Sequence, residues 1–262
     1  MHDQGDPPWS RINTLVEKRR GAAARQLIDK IKPTDANNDL IHMWRGMSFR
    51  ADREPELAVE EFDKCKNLKV FISWANYVAG SYCQAERYDK AIAVTNVALD
   101  QEPSASLYGH RATYLCAKGK FAEAIPDYKK AAALKDDDQR TYLTAAGDIL
   151  RRQGKSKEAL ALLNTGLSAK ERLTDGKYWL CRANCFGELG EWAKAAESCT
   201  EGIRISKLAI AKSKSSEELV LAYIYVTRAK CYDHLGKKDL AERDRKAQAK
   251  IGASTEDIIL GK

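Results

Sequence analysis

Alanine recurs at a near-fixed interval along this 262-residue chain, and that interval constrains the fold more than any local motif does. Ala58, Ala91, Ala124, Ala159, Ala195 and Ala241 step by 33, 33, 35, 36 and 46 residues. The fullest surrounding patterns are Gly119-Lys-Phe121-Ala-Glu-Ala124 and Gly190-Glu-Trp192-Ala-Lys-Ala195. Glu86-Arg-Tyr88-Asp-Lys-Ala91, Gly154 to Ala159 and Gly236 to Ala241 are relatives, and Arg53-Glu-Pro55-Glu-Leu-Ala58 fits more loosely. A second small residue stands twelve places before each alanine: Gly46, Ala79, Ala112, Gly147, Ala183 and Ala229. A bulky apolar residue stands nine places before it: Phe49, Tyr82, Leu115, Leu150, Phe186 and Tyr232.

Small residues in register are what two helices need where their backbones cross closely, with the bulky residue filling the gap beside the crossing. The glycines at 119, 154, 190 and 236 fall where a left-handed residue ends the first helix of a pair. Pro55 suits a first helical turn, and Pro103 closes a unit after its second helix.

With these residues in hand the sequence resembles the tetratricopeptide repeat family. The resemblance implies an all-α fold, a right-handed α-solenoid of antiparallel helix pairs, A and B, with the recurring alanine at repeat position 20. It covers residues 39–250 as six repeats, about 39–71, 72–104, 105–138, 140–173, 176–209 and 222–250. Residues 9–38 read as a degenerate first unit and cap, with Ala24 preceding Ala58 by 34. Residues 1–8 are expected to be disordered and 251–262 to form a tail.

The long step from Ala195 to Ala241 places an insertion over Ile203 to Leu221. Shared equally, it lengthens each helix by about six residues, roughly 9 Å at 1.5 Å per residue, with Ser215 and Glu218 as a capping box. Lys207, Lys212 and Lys214 lie near its tip. Such a projection is either a tolerated insertion or a surface for homo-oligomer contact, as are the ends of the array. The smaller excess near Lys170 to Asp175 reads as a loop.

Comparing units also exposes a charge correlation. Position 7 is Arg45, Arg111, Arg182 or Arg228 in four repeats, and sixteen residues later stand Glu61, Asp127, Ser198 and Asp244. Each arginine with an acid opposite is expected to pair within its own unit. Arg182, facing Ser198, is expected to turn to Glu197 or Glu201 or to remain available for a ligand.

The chain has 44% hydrophobic and 31% charged residues, with no stretch approaching the roughly 18 apolar residues of a membrane span. No membrane association is expected. The opening MHDQGDPPWS lacks the features of a secretory segment. Seven scattered cysteines without a CxxC pair read as free thiols. The expected compartment is therefore the cytoplasm, with secretion open if a signal segment was removed. The net charge of +7 is modest and reads mainly as solvated helix faces.

The resemblance implies that partner peptides or helices lie against the helix A faces, at positions 2, 5, 6, 9, 12 and 13. The candidate partner-binding residues are Met43, Met47, Arg50, Asn76, Cys83, His110, Thr113, Asp148, Arg151, Lys177, Asn184 and Lys230. Met43 and Met47 divide evenly between core and an adaptable pocket, and Trp44 reads as core. The carboxylate clamp of the co-chaperone branch is not expected. Its middle asparagine is replaced at every aligned position, by Trp44, Tyr77, His110, Ala145, Cys181 and Thr227, and only Lys177 matches a clamp lysine.

Nothing supports catalysis. Gly154-Lys155-Ser156 has no preceding strand and fills a helix-turn slot. The four histidines lie far apart, with no metal-binding or nucleophile–base spacing. The expected function is a non-catalytic scaffold for a protein or peptide partner, without cofactor or metal. The alternatives are a nucleic-acid binder, disfavoured by the modest charge, and a self-assembling structural repeat.

Overall fold

The turn that ends each first helix is built identically seven times. The peptide N–H of Arg20, Glu54, Arg87, Lys120, Lys155, Glu191 and Lys237 donates to the carbonyl five residues back, at 2.8 to 3.0 Å. Such a closure needs a left-handed residue just before the donor. Gly119, Gly154 and Gly190 supply it at φ 75° and Gly236 at φ 72°. In the first three units the same place is held by Arg19 (φ 53°), Arg53 (φ 65°) and Glu86 (φ 57°). A side chain in that region costs about 1–2 kcal/mol relative to glycine. A Cβ at any of the four glycines would meet open space, so the constraint there is backbone angle alone.

These turns join the helices of a computed structural model that describes residues 8–134, 139–165, 176–212 and 217–259. The chain divides into two compact units, Met1–Ala131 and Ala132–Lys262. The first contains α1 (Trp9–Glu17), α2 (Gly21–Ile28), α3 (Asn38–Ala51), α4 (Pro55–Phe62), α5 (Ala75–Gln84), α6 (Tyr88–Gln101), α7 (Ala105–Ala117) and α8 (Phe121–Ala133), which runs to its boundary. The second contains α9 (Gln139–Arg152), α10 (Ser156–Thr165), α11 (Gly176–Glu188), α12 (Trp192–Ile210), α13 (Glu217–His234) and α14 (Lys238–Ile259). A 3-10 helix, Leu68–Trp74, precedes α5, and no strand occurs among the described residues. The expectations for residues 1–7, for Lys170 to Asp175 and for Lys214 and Ser215 fall outside the described residues.

Within each unit the helices pair antiparallel and each pair packs on its neighbour. Ala24, Ala58, Ala91, Ala124, Ala159, Ala195 and Ala241 are all fully buried. The crossing is close at Gly46, where an added Cβ would lie 2.3 Å from the Phe62 ring and 2.9 Å from the Ala58 carbonyl oxygen. Position 8 thus meets position 20, as the spacing requires.

The first pair departs from the pattern. Ile12 stands where later units have Gly or Ala, and it is fully buried. The pair is bolted to α3 through Asp52, whose Oδ1 accepts from the Gly21 N–H at 3.1 Å and whose Oδ2 accepts from Arg25 Nη2 at 2.9 Å. The Arg25 guanidinium also lies 4.2 Å from the centre of the Phe49 ring.

Of the expected arginine–acid pairs, two form. Arg111 Nε and Nη2 donate to the two oxygens of Asp127 at 2.6 and 2.7 Å, and Arg228 meets Asp244 in the same way at 2.7 Å twice. Arg45 does not reach Glu61. His42, one turn earlier on α3, occupies that carboxylate at 2.8 Å together with Lys64 at 2.5 Å, and Arg45 turns to Asp29 beyond α2 at 2.8 Å. Arg182 is likewise corrected: it turns to neither Glu197 nor Glu201, but donates from Nη1 to Ser198 Oγ at 2.7 Å. Its guanidinium lies over the Phe186 ring at 4.8 Å.

The insertion after Ala195 is helical at both ends. α12 has 19 residues, six more than the 13 of α8, and α13 has 18. The added turns are packed, with Ile203, Val220, Leu221 and Ile224 in one core cluster and Ser206 Oγ donating to Glu217 Oε2 at 3.1 Å. Helix α14 continues to Ile259, through the stretch read from sequence as a tail.

Candidate functional site

Each unit presents a face built from the first helices of its pairs. In the amino-terminal unit the 3-10 helix decides what that face contains. The carboxylate of Asp39 accepts from the N–H groups of Lys66 and Asn67 at 3.0 and 2.9 Å, and buried Phe71 anchors the segment that follows. Trp74 is thereby set edge-on to buried Trp44, ring centres 5.3 Å apart, and beside Tyr77 at 5.9 Å. The two rings border an open recess of about 790 Å³ whose floor includes Met47. Arg50 crosses it, stacked 4.6 Å from the centre of the Tyr77 ring. Burial lowers the Arg50 pKa from its ordinary value, only partly offset by Tyr77. Arg19 and Arg53, two of the three non-glycine left-handed turn residues, also line it, with Glu17.

Further along the same unit, His110 Nδ1 lies 2.9 Å from Asn76 Oδ1, and Asn76 Nδ2 donates to Ser106 Oγ at 3.1 Å. Thr113 Oγ1 lies 3.1 Å from the Tyr128 hydroxyl. Cys83 is half-buried, and burial raises its thiol pKa.

In the second unit, α9, α11 and α13 line two smaller recesses of about 330 and 290 Å³ that share Asn184. Lys177 and Asp148 border the larger, while Arg151, Glu188, Thr227 and Lys230 border the smaller. Arg151 is locked in place, donating to Asp148 Oδ1 at 2.8 Å and to Glu188 Oε1 at 2.6 Å. Burial alone would lower its pKa, but these carboxylates outweigh burial and raise it. Arg152 also pairs with Asp148, at 2.6 Å. The charges on α9 and α11 are therefore largely neutralised internally. On α13, Tyr223 and Val226 remain more than half exposed on the side that carries Lys230, continued one turn outward by Leu219.

The sequence-derived candidates thus separate. Asn76 and His110 are joined by a hydrogen bond, and Asp148, Arg151, Lys177, Asn184 and Lys230 surround the paired recesses. Met43 is core and gives no surface to a partner, because its side chain is directed between α3 and its neighbours; Met47 is also buried but reaches the recess floor beside Arg50. Arg19, Arg53, Trp74 and Tyr77 were not among the candidates. The available signal was position 15, where Arg19 and Arg53 replace the glycine of later units.

Among the described residues no group of three or more His, Cys, Asp or Glu is placed to hold a metal ion, and no helix is long and apolar enough to cross a membrane. The fold defines a class: tandem helix–turn–helix repeats. A tetratricopeptide repeat family model matches residues 103–172. Similar solved structures include a tetratricopeptide repeat protein from Parabacteroides merdae, 17% identical with a TM-score of 0.53, covering 93% of this chain and 91% of that one. YrrB, described as a tetratricopeptide protein with an unusual peptide-binding site, is 15% identical with a TM-score of 0.51, covering 75% and 91%. The carboxy-terminal part of a repeat protein from Cytophaga hutchinsonii is 15% identical with a TM-score of 0.50, covering 94% and 80%. At such identities the likeness establishes the fold. No curated protein matches the sequence. Residues 103–172 are thus similar to the tetratricopeptide repeat family, and the likeness to the solved structures shows that the chain shares their fold.

Proposed function

We propose that this protein is a non-catalytic scaffold that holds an extended or helical segment of a partner protein against the first helices of its repeats. The observation that carries the reading is the pair of recesses in the second unit that share Asn184. Asn184 offers an amide to both, Lys177 and Lys230 flank it, and exposed Tyr223 and Val226 supply apolar contact beside them. A bound segment needs such a mixture: amides and cations for its backbone carbonyls and acids, and an apolar surface for one or two side chains. The pairing of Arg151 and Arg152 with Asp148 and Glu188 offsets positive charge beside these recesses, which argues against a nucleic-acid backbone there. YrrB, with its described peptide-binding site, is a precedent within the fold.

Photo-cross-linking tests the reading. A benzophenone side chain at Lys230, on the recess, is compared with one at exposed Glu242 on α14, in extract from the native source. A discrete polypeptide adduct at Lys230 and none at Glu242 is expected. Equal labelling at both positions, or an adduct to nucleic acid, would overturn it.

A further inference from the structure

The recess of the amino-terminal unit differs in character from those of the second. Arg19, Arg50 and Arg53 all line it. None of them forms an ion pair among the described residues; Arg19 and Arg53 are exposed, whereas Arg50 is partly buried and most other partly buried arginines are paired. Among the described residues the one acid on the lining is Glu17, which already accepts from Asn13 Nδ2 at 3.1 Å, so the described lining carries three positive charges against one negative.

The backbone supplies an independent observation. Arg19 and Arg53 hold left-handed angles that four other units give to glycine, and glycine would fit both turns without steric conflict. Strained residues of this kind cluster where a side chain is needed for a ligand. Glu86 shows that a non-glycine residue at this place is not by itself a site. What distinguishes Arg19 and Arg53 is that both strained side chains border one recess together with a third unpaired arginine.

We propose that this recess receives an acidic segment of the partner protein, its carboxylates meeting Arg19, Arg50 and Arg53 and an adjoining apolar side chain packing on Trp74 and Tyr77. The inference rests on the scaffold reading above and adds the chemistry of the segment. Guanidinium pairs with carboxylate through two parallel hydrogen bonds, which fixes orientation as well as charge. The aromatic shelf accounts for the second half of the recognition, since a bare inorganic anion would leave it unused. A continuous polyanion is disfavoured by Glu54 and Glu56, exposed immediately after Arg53.

Fluorescence anisotropy on the full chain tests this with a labelled peptide, Asp-Glu-Phe-Glu-Asp, blocked at both ends so that no terminal carboxylate contributes. The acidic peptide is expected to bind at least tenfold more tightly than its Asn/Gln counterpart and to weaken with salt. Arg50→Ala should lower affinity about tenfold. Arg19→Gly and Arg53→Gly should each lower it severalfold while the melting temperature stays level or rises, a combination that loss of folding cannot produce. Equal binding of the neutral peptide, unchanged affinity in the glycine variants, or tighter binding of inorganic phosphate or an oligothymidylate than of the peptide would each overturn the proposal. A partner adduct at Lys230 without acidic-peptide binding would remove this inference and leave the scaffold reading standing, whereas absence of both would remove the two together.

Discussion

Arg228 and Asp244 meet edge to edge across α13 and α14, with Nε and Nη2 each 2.7 Å from one carboxylate oxygen. Arg111 and Asp127 repeat that geometry in the other unit at 2.6 and 2.7 Å. The acids are buried, with side-chain exposures of 6% and 5%, while the arginines keep part of their surface in solvent.

Removing the acid leaves a largely covered guanidinium without its two-point partner, so Asp127→Ala and Asp244→Ala should each destabilise by about 3 kcal/mol. Arg45→Ala should cost less than about 1 kcal/mol, because its partner Asp29 is 61% exposed. Urea denaturation of the three variants checks the ranking, and a larger loss for Arg45→Ala than for Asp127→Ala would contradict it.

Gly46 and Gly147 share a repeat position but not a tolerance for substitution. An alanine Cβ at 46 would sit 2.3 Å from the Phe62 ring and 2.9 Å from a backbone oxygen, whereas at 147 it would meet only Leu163 side-chain atoms at 3.1 Å. Gly46→Ala should therefore destabilise by about 1–3 kcal/mol through overpacking. Gly147→Ala should fall within about 1 kcal/mol of the parent, since helix propensity gains offset the crowding. Thermal melts of both variants separate the cases.

Two carboxylates of the amino-terminal unit titrate below their ordinary range. Burial pushes Glu61 up, but hydrogen bonds from His42 and Lys64 outweigh it. Burial likewise pushes Asp63 up and is outweighed by hydrogen bonds from Lys90 and Tyr82 and by the nearby charges of Lys90 and Arg87. A carboxylate lowered in the folded state stabilises it fully above the unfolded-state value, and that contribution disappears as pH falls through the folded-state value. The double variant Glu61→Gln/Asp63→Asn should lose about 1–2 kcal/mol at neutral pH and show a shallower decline in stability toward about pH 3. An unchanged acid slope would show that neither group is linked to folding.

The repeat was legible because its rules are local. Position 20 must be small wherever two helices cross, so Ala24 to Ala241 could be read in register without knowing what surrounds them. The pairs Arg111–Asp127 and Arg228–Asp244 were legible for the same reason, since sixteen residues is a fixed distance across one helix pair. Arg45 escaped because competition decides its partner: His42 reaches Glu61 from one turn away, and the chain offers Asp29 instead. The recess of the amino-terminal unit was legible only in Met47 and Arg50 on α3; Arg19 and Arg53 belong to turns and Trp74 to a 3-10 helix, away from the positions that ordinarily face a partner.

Helix α13 lies between two long neighbours, α12 with 19 residues and α14 with 22, while α2 and α4 have eight each. Kinetic protection should follow that inequality. Amide protons in the middle of α13 lie far from either helix end and on a helix packed on both neighbours, so deuterium should enter there last, long after the short amino-terminal helices have exchanged by fraying. The lengthened hairpin would then set how long the second unit persists once it has formed.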